Sequence, residues 1–262
     1  MAFFRIVIPN YNNAEWLDKS IGSVLNQTFQ DFFLIIVDDC STDGSWEKIK
    51  DYEKKNKDKI FAYKNNTKRW NGGTRNIGLS LGEELSEYTL FLDSDDWFKD
   101  NNSLQKIYDK IKENNFPDCV SLSYNCRING KEFLQPLIRN TPQELVDSLY
   151  VACWTKCIQS DIVESFPENT LMEDVVQHIK QCDKIKTIVS IEEPLIVWNR
   201  DNLNSCSREE NQKCQHGKWQ SSMYRYAADL MDLQCEHNYC ESHRKWRLEV
   251  VLNNIKEGKY IQ

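Results

Sequence analysis

TLFLDSDDW, residues Thr89 to Trp97, runs a β-branched and aromatic segment straight into three carboxylates, Asp93, Asp95 and Asp96. The first half reads as a buried strand and the second as a strand end loaded with acid. Carboxylates this close repel one another unless a metal ion or a basic group neutralises them. Hard oxygen ligands on a short loop suit Mg²⁺ or Mn²⁺. Taken alone, the same residues also suit a solvated acidic turn that caps a helix over Asn101 to Lys110. The flanking sequence decides between the two.

Toward the amino terminus, Phe3 to Pro9 is a strand-length apolar run that stops at a proline and an asparagine-rich turn. Asn12 or Asn13 can cap a helix in which Leu17, Ile21, Val24 and Leu25 form one buried stripe. Phe32 to Val37 is a second strand, followed by a polar turn whose Asp43 can cap a helix bearing Trp46, Ile49 and Tyr52. Ile60 to Tyr63, a helix from Gly73 with Ile77, Leu81 and Leu85, and Tyr88 to Leu92 continue the rhythm. Continuous apolar strands alternating with amphipathic helices predict an α/β fold with a mostly parallel central sheet flanked by helices. Strands near Cys119 to Tyr124, Thr187 to Ile191 and Leu195 to Trp198, with a helix near Met172 to Ile179, extend that core. Ligands of such sheets bind beyond the carboxyl ends of the strands. The polar clusters Asn10 to Asn13, Asp38 to Asp43 and Asp93 to Asp96 should therefore converge on one edge. Residues 1–206 read as this domain and residues 207–262 as a helical C-terminal extension, structural or on the acceptor side.

With 262 residues, 40% hydrophobic, the chain is long enough for one sizeable core and far from a disordered composition. A net charge of −7 argues against a general nucleic-acid binder. The first residues lead directly into a strand, and no stretch is apolar enough to span a membrane. The expectation is a soluble, cytoplasmic chain, in the host cytoplasm were it viral. In that compartment the ten cysteines stay reduced. Cys214, His216, Cys235, His237, Cys240 and His243 mix thiols with imidazoles, a donor set that Zn²⁺ favours. Their spacing matches no standard finger, and reduced cysteines buried as small hydrophobes are the competing reading.

IVIPNYNN (6–13), SIGSVLNQTFQDFFLIIVDDCSTDGS (20–45), NGGTRNIGLSLG (71–82) and YTLFLDSDDW (88–97) stand in an order and at spacings that resemble one family. It is family 2 of the inverting glycosyltransferases, which have the GT-A nucleotide-sugar-binding fold. The match covers about 200 residues. Another Rossmann-like protein would want a glycine-rich loop after the first strand, where Pro9, Asn10 and Tyr11 stand.

The resemblance implies a UDP-sugar donor, a Mn²⁺ or Mg²⁺ ion and a hydroxyl acceptor. Donor contacts would come from Pro9, Asn10, Tyr11, Asp39 or Asp38, Arg75, Asn76, Asp93 and Ser94. The Tyr11 ring can cover a base, and Asp39 can accept from a base N–H. Arg75 and Asn76, behind Gly72 and Gly73, suit phosphate at a helix start, unless Arg75 pairs with a nearby acid. Asp93 resembles the ribose-binding acid and Asp95 the metal ligand, with Asp96 in support. Asp174, in NTLMEDVVQHIK, resembles the general base. Beside it, Glu173 belongs to the acceptor side, unless the pair only stabilises a helix N-terminus. Trp154 and Lys156 resemble the acceptor frame, although a core tryptophan fits as well. Many relatives have a histidine after the last core strand, and WNRDNLNSCSR lacks one. Arg200 is the candidate for the diphosphate there, and Asp201, Asn204 or Ser205 for a further oxygen. His178 reads as a plain helix residue.

The acceptor class stays open between a glycan, a protein, a lipid-linked sugar and, given the basic and aromatic ESHRKWRLEV, modified bases of viral DNA. A noncatalytic nucleotide-sugar or glycan-binding module and a nucleotidyltransferase are the competing function classes.

Overall fold

A computed structural model describes residues 2–82, 86–148, 152–168, 173–205, 226–236 and 238–257. Its centre is a nine-stranded mixed sheet. β1 (Ala2–Asn10), β2 (Phe32–Asp38), β3 (Ile60–Lys64) and β4 (Ser86–Phe91) form a parallel half in the order β3-β2-β1-β4. The other half continues through β8 (Lys156–Gln159), β6 (Cys119–Ile128), β9 (Ile188–Asn199) and β5 (Trp97–Phe98), with β7 (Lys131–Gln135) as a hairpin partner of β6. β8 is the antiparallel strand that joins the halves, pairing with β4 on one side and β6 on the other.

The helices form where an apolar stripe meets this sheet. α1 (Leu17–Leu25) buries Leu17, Ile21 and Val24; α2 (Ser45–Lys55) buries Ile49. α4 (Ser103–Glu113) buries Leu104, Ile107 and Ile111, the three-and-four spacing of one face. α3 (Trp70–Ser80) starts three residues before the expected Gly73 and runs close to β1: a Cβ on Gly78 would meet Val7 Cγ1 at 2.4 Å. β9 joins the two strands expected around Thr187 and Leu195 into one, with a register shift against β6 beside Ser123.

α5 (Pro142–Asp147), α6 (Glu173–Lys184), α7 (226–232) and α8 (Asn238–Glu257) enclose a second apolar cluster. There Leu145, Val176, Ile179 and Cys182 meet Tyr226, Leu230, Cys240 and Val251. α7 and α8 thus close the outer side of α6, the helix whose first turn carries Glu173 and Asp174. No helix among the described residues is long and apolar enough to cross a membrane.

Candidate active site

The parallel register aligns the strand ends. Asn10 is the partner of Asp38 across β1 and β2, and Val7 that of Phe91 across β1 and β4, so the three polar clusters meet at one edge. Asn10 Nδ2 donates to Asp38 Oδ1 at 2.8 Å and to Ser41 Oγ at 3.1 Å, and the Ser41 N–H donates to Asp38 Oδ2. Asp38 is fully buried and serves this turn. Asp39 organises the next loop, accepting from Asn65 Nδ2 at 2.9 Å, the Arg69 N–H at 2.7 Å and the Trp70 N–H at 2.9 Å. Tyr11 is 42% exposed at the end of β1, with the Lys68 ammonium over its ring.

Arg75 departs from expectation. Instead of an open cation at the start of α3, it is a buried clasp: Nη2 donates to Asp93 Oδ1 at 2.8 Å, and Nη1 to Glu173 Oε1 at 2.9 Å and Asp174 Oδ1 at 3.3 Å. The pairing with acids weighed from the sequence is the one present. Against the opposing effect of burial, Cys153 and the three carboxylates hold the guanidinium proton well above its usual range. Asn76 departs as well, since its amide exchanges two hydrogen bonds of 2.9 Å with the Phe166 backbone. Gly72 lets that segment approach, because a Cβ there would lie 2.3 Å from the Pro167 carbonyl oxygen.

In the acidic loop, Ser94 Oγ accepts from Asn13 Nδ2 at 2.8 Å. Asp95 is half-buried, and Asn202 Nδ2 donates to its Oδ2 at 2.7 Å. Burial and the nearby charge of Asp93 push the Asp95 carboxyl up to about 6. Asp96 is 1% exposed; its Oδ1 accepts from the Asn199 N–H and its Oδ2 has no hydrogen-bond partner. Asp96 therefore ties the loop to the end of β9.

On α6, Glu173 is buried and its carboxyl rises to about 7 through burial and the charge of Asp174, with Arg75 opposing. Burial likewise raises Asp174, against Arg75. Trp154 and Lys156 do not frame an open pocket. Trp154 is 3% exposed and packs edge-on against Tyr124 at 4.9 Å, the core position that the sequence also allowed. Lys156 is fully buried with Nζ 3.0 Å from His178 Nδ1. His178, whose Nε2 lies 3.1 Å from the Leu145 carbonyl oxygen, is an interior residue with its pKa far below the usual range because of burial. Arg200 lies over the Trp198 ring at 4.7 Å. Asp201 accepts from the Asn129 and Gly130 N–H groups and holds the β6–β7 turn.

A model of the family described as glycosyl transferase family 2 matches residues 5–157, more than half of the sequence. The chain belongs to glycosyl transferase family 2. Curated relatives include a poly(ribitol-phosphate) beta-glucosyltransferase of Bacillus spizizenii, 32% identical over 150 residues, 56% of this chain and 23% of that one. Another is the UDP-Glc:alpha-D-GlcNAc-diphosphoundecaprenol beta-1,3-glucosyltransferase WfaP of Escherichia coli, 30% identical over 148 residues, 55% of this chain and 54% of that one. The chain spans between 15% and 54% of the length of the first curated relatives it matches. Among solved structures, residues 1–349 of Staphylococcus aureus TarS in complex with UDP-GlcNAc superpose with a TM-score of 0.72, at 21% identity, covering 98% of this chain and 73% of that one. This likeness establishes the GT-A fold for the family 2 member described here.

Its donor set suits a divalent ion held jointly with a ligand. Asp95 presents a half-buried carboxylate and Asp96 an orphaned oxygen, and Mg²⁺ is commonly bound by one or two carboxylates plus substrate phosphates. Among the described residues no three His, Cys, Asp or Glu side chains form a complete metal cage. The same holds for Cys235, Cys240 and His243; Cys214, His216 and His237 lie outside the described residues. The sequence reading missed Asn202, which bonds both Asp95 and Asn13 Oδ1. Its position in the polar run after the last strand is the one signal in the sequence that marks it.

Proposed function

We propose that this chain transfers a sugar, in the simplest case a hexose, from a UDP-sugar to a hydroxyl acceptor, with inversion and with Asp174 as general base. The observation that carries this reading is the Arg75 clasp, which fixes the donor-side Asp93 and the base-side Glu173 and Asp174 on one guanidinium. Asp174 is the better base of the pair. Its side chain is 27% exposed against 9% for Glu173, and its bond to Arg75 is the longer one. Burial raises its proton affinity, as a base acting near neutral pH requires.

On this reading Tyr11 covers the uracil. Asp39, with three of about four lone-pair sites used, retains one for the base N–H. Asn10 Oδ1, Asn65 Oδ1 and Asp96 Oδ2 are buried without a partner, which a hydrogen-bonding ligand at this edge would relieve. Asp93 accepts from the ribose, and Arg200 is the remaining candidate for the diphosphate. Asp95, with Asp96 in support, would hold a Mn²⁺ or Mg²⁺ ion, which supplies Lewis-acid stabilisation of the diphosphate. Asp174 takes the acceptor hydroxyl proton as that oxygen bonds to the anomeric carbon, and the anomeric C–O bond to UDP breaks on the opposite face.

The activities of these relatives support a glycan or polyol-phosphate polymer, free or lipid-linked, as acceptor. Asp174→Asn is the test. UDP release in the presence of acceptor should fall by about 10² to 10⁴-fold, with UDP-sugar affinity retained in calorimetry. Full turnover in that variant would remove Asp174 from the role, and donor binding without turnover in the parent would make the protein a binding module.

A further inference from the structure

α5 and α8 border a cavity of about 530 Å³ lined by Gln143, Asp147, Asn238, Ser242, His243 and Trp246. That volume lies in the range of small-molecule sites, about 300 to 1,000 Å³. The lining pairs one large aromatic surface with a fixed set of hydrogen-bonding groups. Trp246 is 44% exposed, although its ring meets His243 edge-on at 5.5 Å. Gln143 Nε2 donates to Asp147 Oδ1 at 2.7 Å, so amide and carboxylate share one orientation a helical turn apart. Ser242 Oγ donates to the Asn238 carbonyl oxygen at 2.8 Å, which leaves the hydroxyl its lone pairs for accepting.

We propose that this cavity is a subsite for a neutral sugar unit of an acceptor chain. A pyranose offers a C–H face that packs on an indole and a rim of hydroxyls that both donate and accept, and Trp, Asp, Asn, Gln and Ser answer both needs. Among the described lining residues the one formal charge is the Asp147 carboxylate, and the nearby cation is Arg247, whose guanidinium lies over the Trp246 ring at 4.8 Å and donates to His243 Nε2 at 3.3 Å. His243 is neutral at physiological pH, because burial lowers it to about 4.

The cavity also connects to the chemistry. His243 lies 6.3 Å, ring to ring, from His178, and His178 follows Asp174 by one turn on the same face of α6. A sugar held at Trp246 is thus a distal unit of an acceptor whose reactive end is elsewhere. Its effect on turnover rests on the transferase reading above; the binding itself does not.

The test is titration of the ¹⁵N-tryptophan-labelled full chain with cellobiose and with N,N′-diacetylchitobiose, the Trp246 indole resonance being identified by its loss in Trp246→Phe. That resonance should move with at least one disaccharide and stay still with inorganic phosphate and a single-stranded oligonucleotide. Trp246→Ala and Asp147→Ala should each weaken sugar binding about tenfold or more, with UDP affinity and circular dichroism unchanged. A silent Trp246 resonance, equal shifts with phosphate or oligonucleotide, or sugar binding that survives both substitutions would overturn the proposal. Turnover measured on the same sample separates the two readings. A moving Trp246 resonance without UDP-sugar turnover sinks the transferase alone, and turnover with a silent resonance sinks the subsite alone.

Discussion

Arg75 sits within hydrogen-bonding distance of three carboxylates on two elements far apart in sequence. Breaking a buried ion pair by removing one partner costs about 3–5 kcal/mol, because the other charge is stranded. Arg75→Met should therefore lower the melting temperature sharply. Arg75→Lys should recover part of that loss without recovering donor turnover, since one ammonium cannot fork between Asp93 and the Glu173–Asp174 pair. A Lys variant as active as the parent would show that charge alone suffices. Asp95 has the opposite sign. Its folded pKa, about 6 against the usual 3.8, means that the folded ligand-free protein holds this proton more tightly than the unfolded chain does. The stability from that proton is complete below about pH 4 and is lost as pH rises through about 6. Ligand-free Asp95→Asn should hence melt above the parent at neutral pH, the gap closing toward pH 4. Thermal melts across that range check it, and a gap that is constant with pH contradicts it. Asp93, Asp95, Asp96 and the Glu173–Asp174 pair stood out in the sequence because carboxylates after strands or at a helix start are conspicuous. The Arg75 clasp, the inward turn of Trp154 and Lys156, and the Asn202 bridge depend on tertiary partners that local pattern does not reveal.

At the scale of elements, the parallel half and its helices were legible because fully buried strands and one-faced helices leave period-specific apolar patterns. β5, β7, β8 and α5 were not. β5 has two residues and β8 four; α5 is a six-residue helix recognisable mainly by its Thr141–Glu144 capping box. β7 is exposed along its whole length, so no core face marks it. α3 began earlier than Gly73 because Asp39 fixes the Arg69 and Trp70 N–H groups, anchoring the first turn from another strand. The glycine at position 72 has a different use, the close passage of α3 beside Pro167. Gly72→Ala should force the two apart, costing about 1–3 kcal/mol as overpacking does. Because Arg75 lies one turn further along α3, the same change should reduce turnover more than UDP affinity. A variant that melts and turns over like the parent would mean that the 166–168 segment yields freely.

For the whole molecule, the question is whether residues 207–262 form a separable unit. α7 and α8 contribute Tyr226, Ala227, Leu230, Cys240 and Val251 to the cluster that covers α6, each no more than 4% exposed. Removing them would bare Val175, Val176, Ile179 and Cys182 on the helix that carries Glu173 and Asp174. A buried Leu or Val side chain contributes about 1.5–3 kcal/mol, so several lost together rival the whole stability of a typical domain, about 5–15 kcal/mol. A chain ending at Cys206 should therefore fail to fold cooperatively and lose UDP binding together with acceptor transfer. Circular dichroism melts and calorimetry with UDP decide the matter. If the shortened chain melts like the parent and binds UDP while transfer alone is lost, α7 and α8 serve the acceptor without holding up α6. If binding and structure vanish together, the helices are part of the scaffold that sets Glu173 and Asp174 against Arg75, and any acceptor contact they make is added to that work.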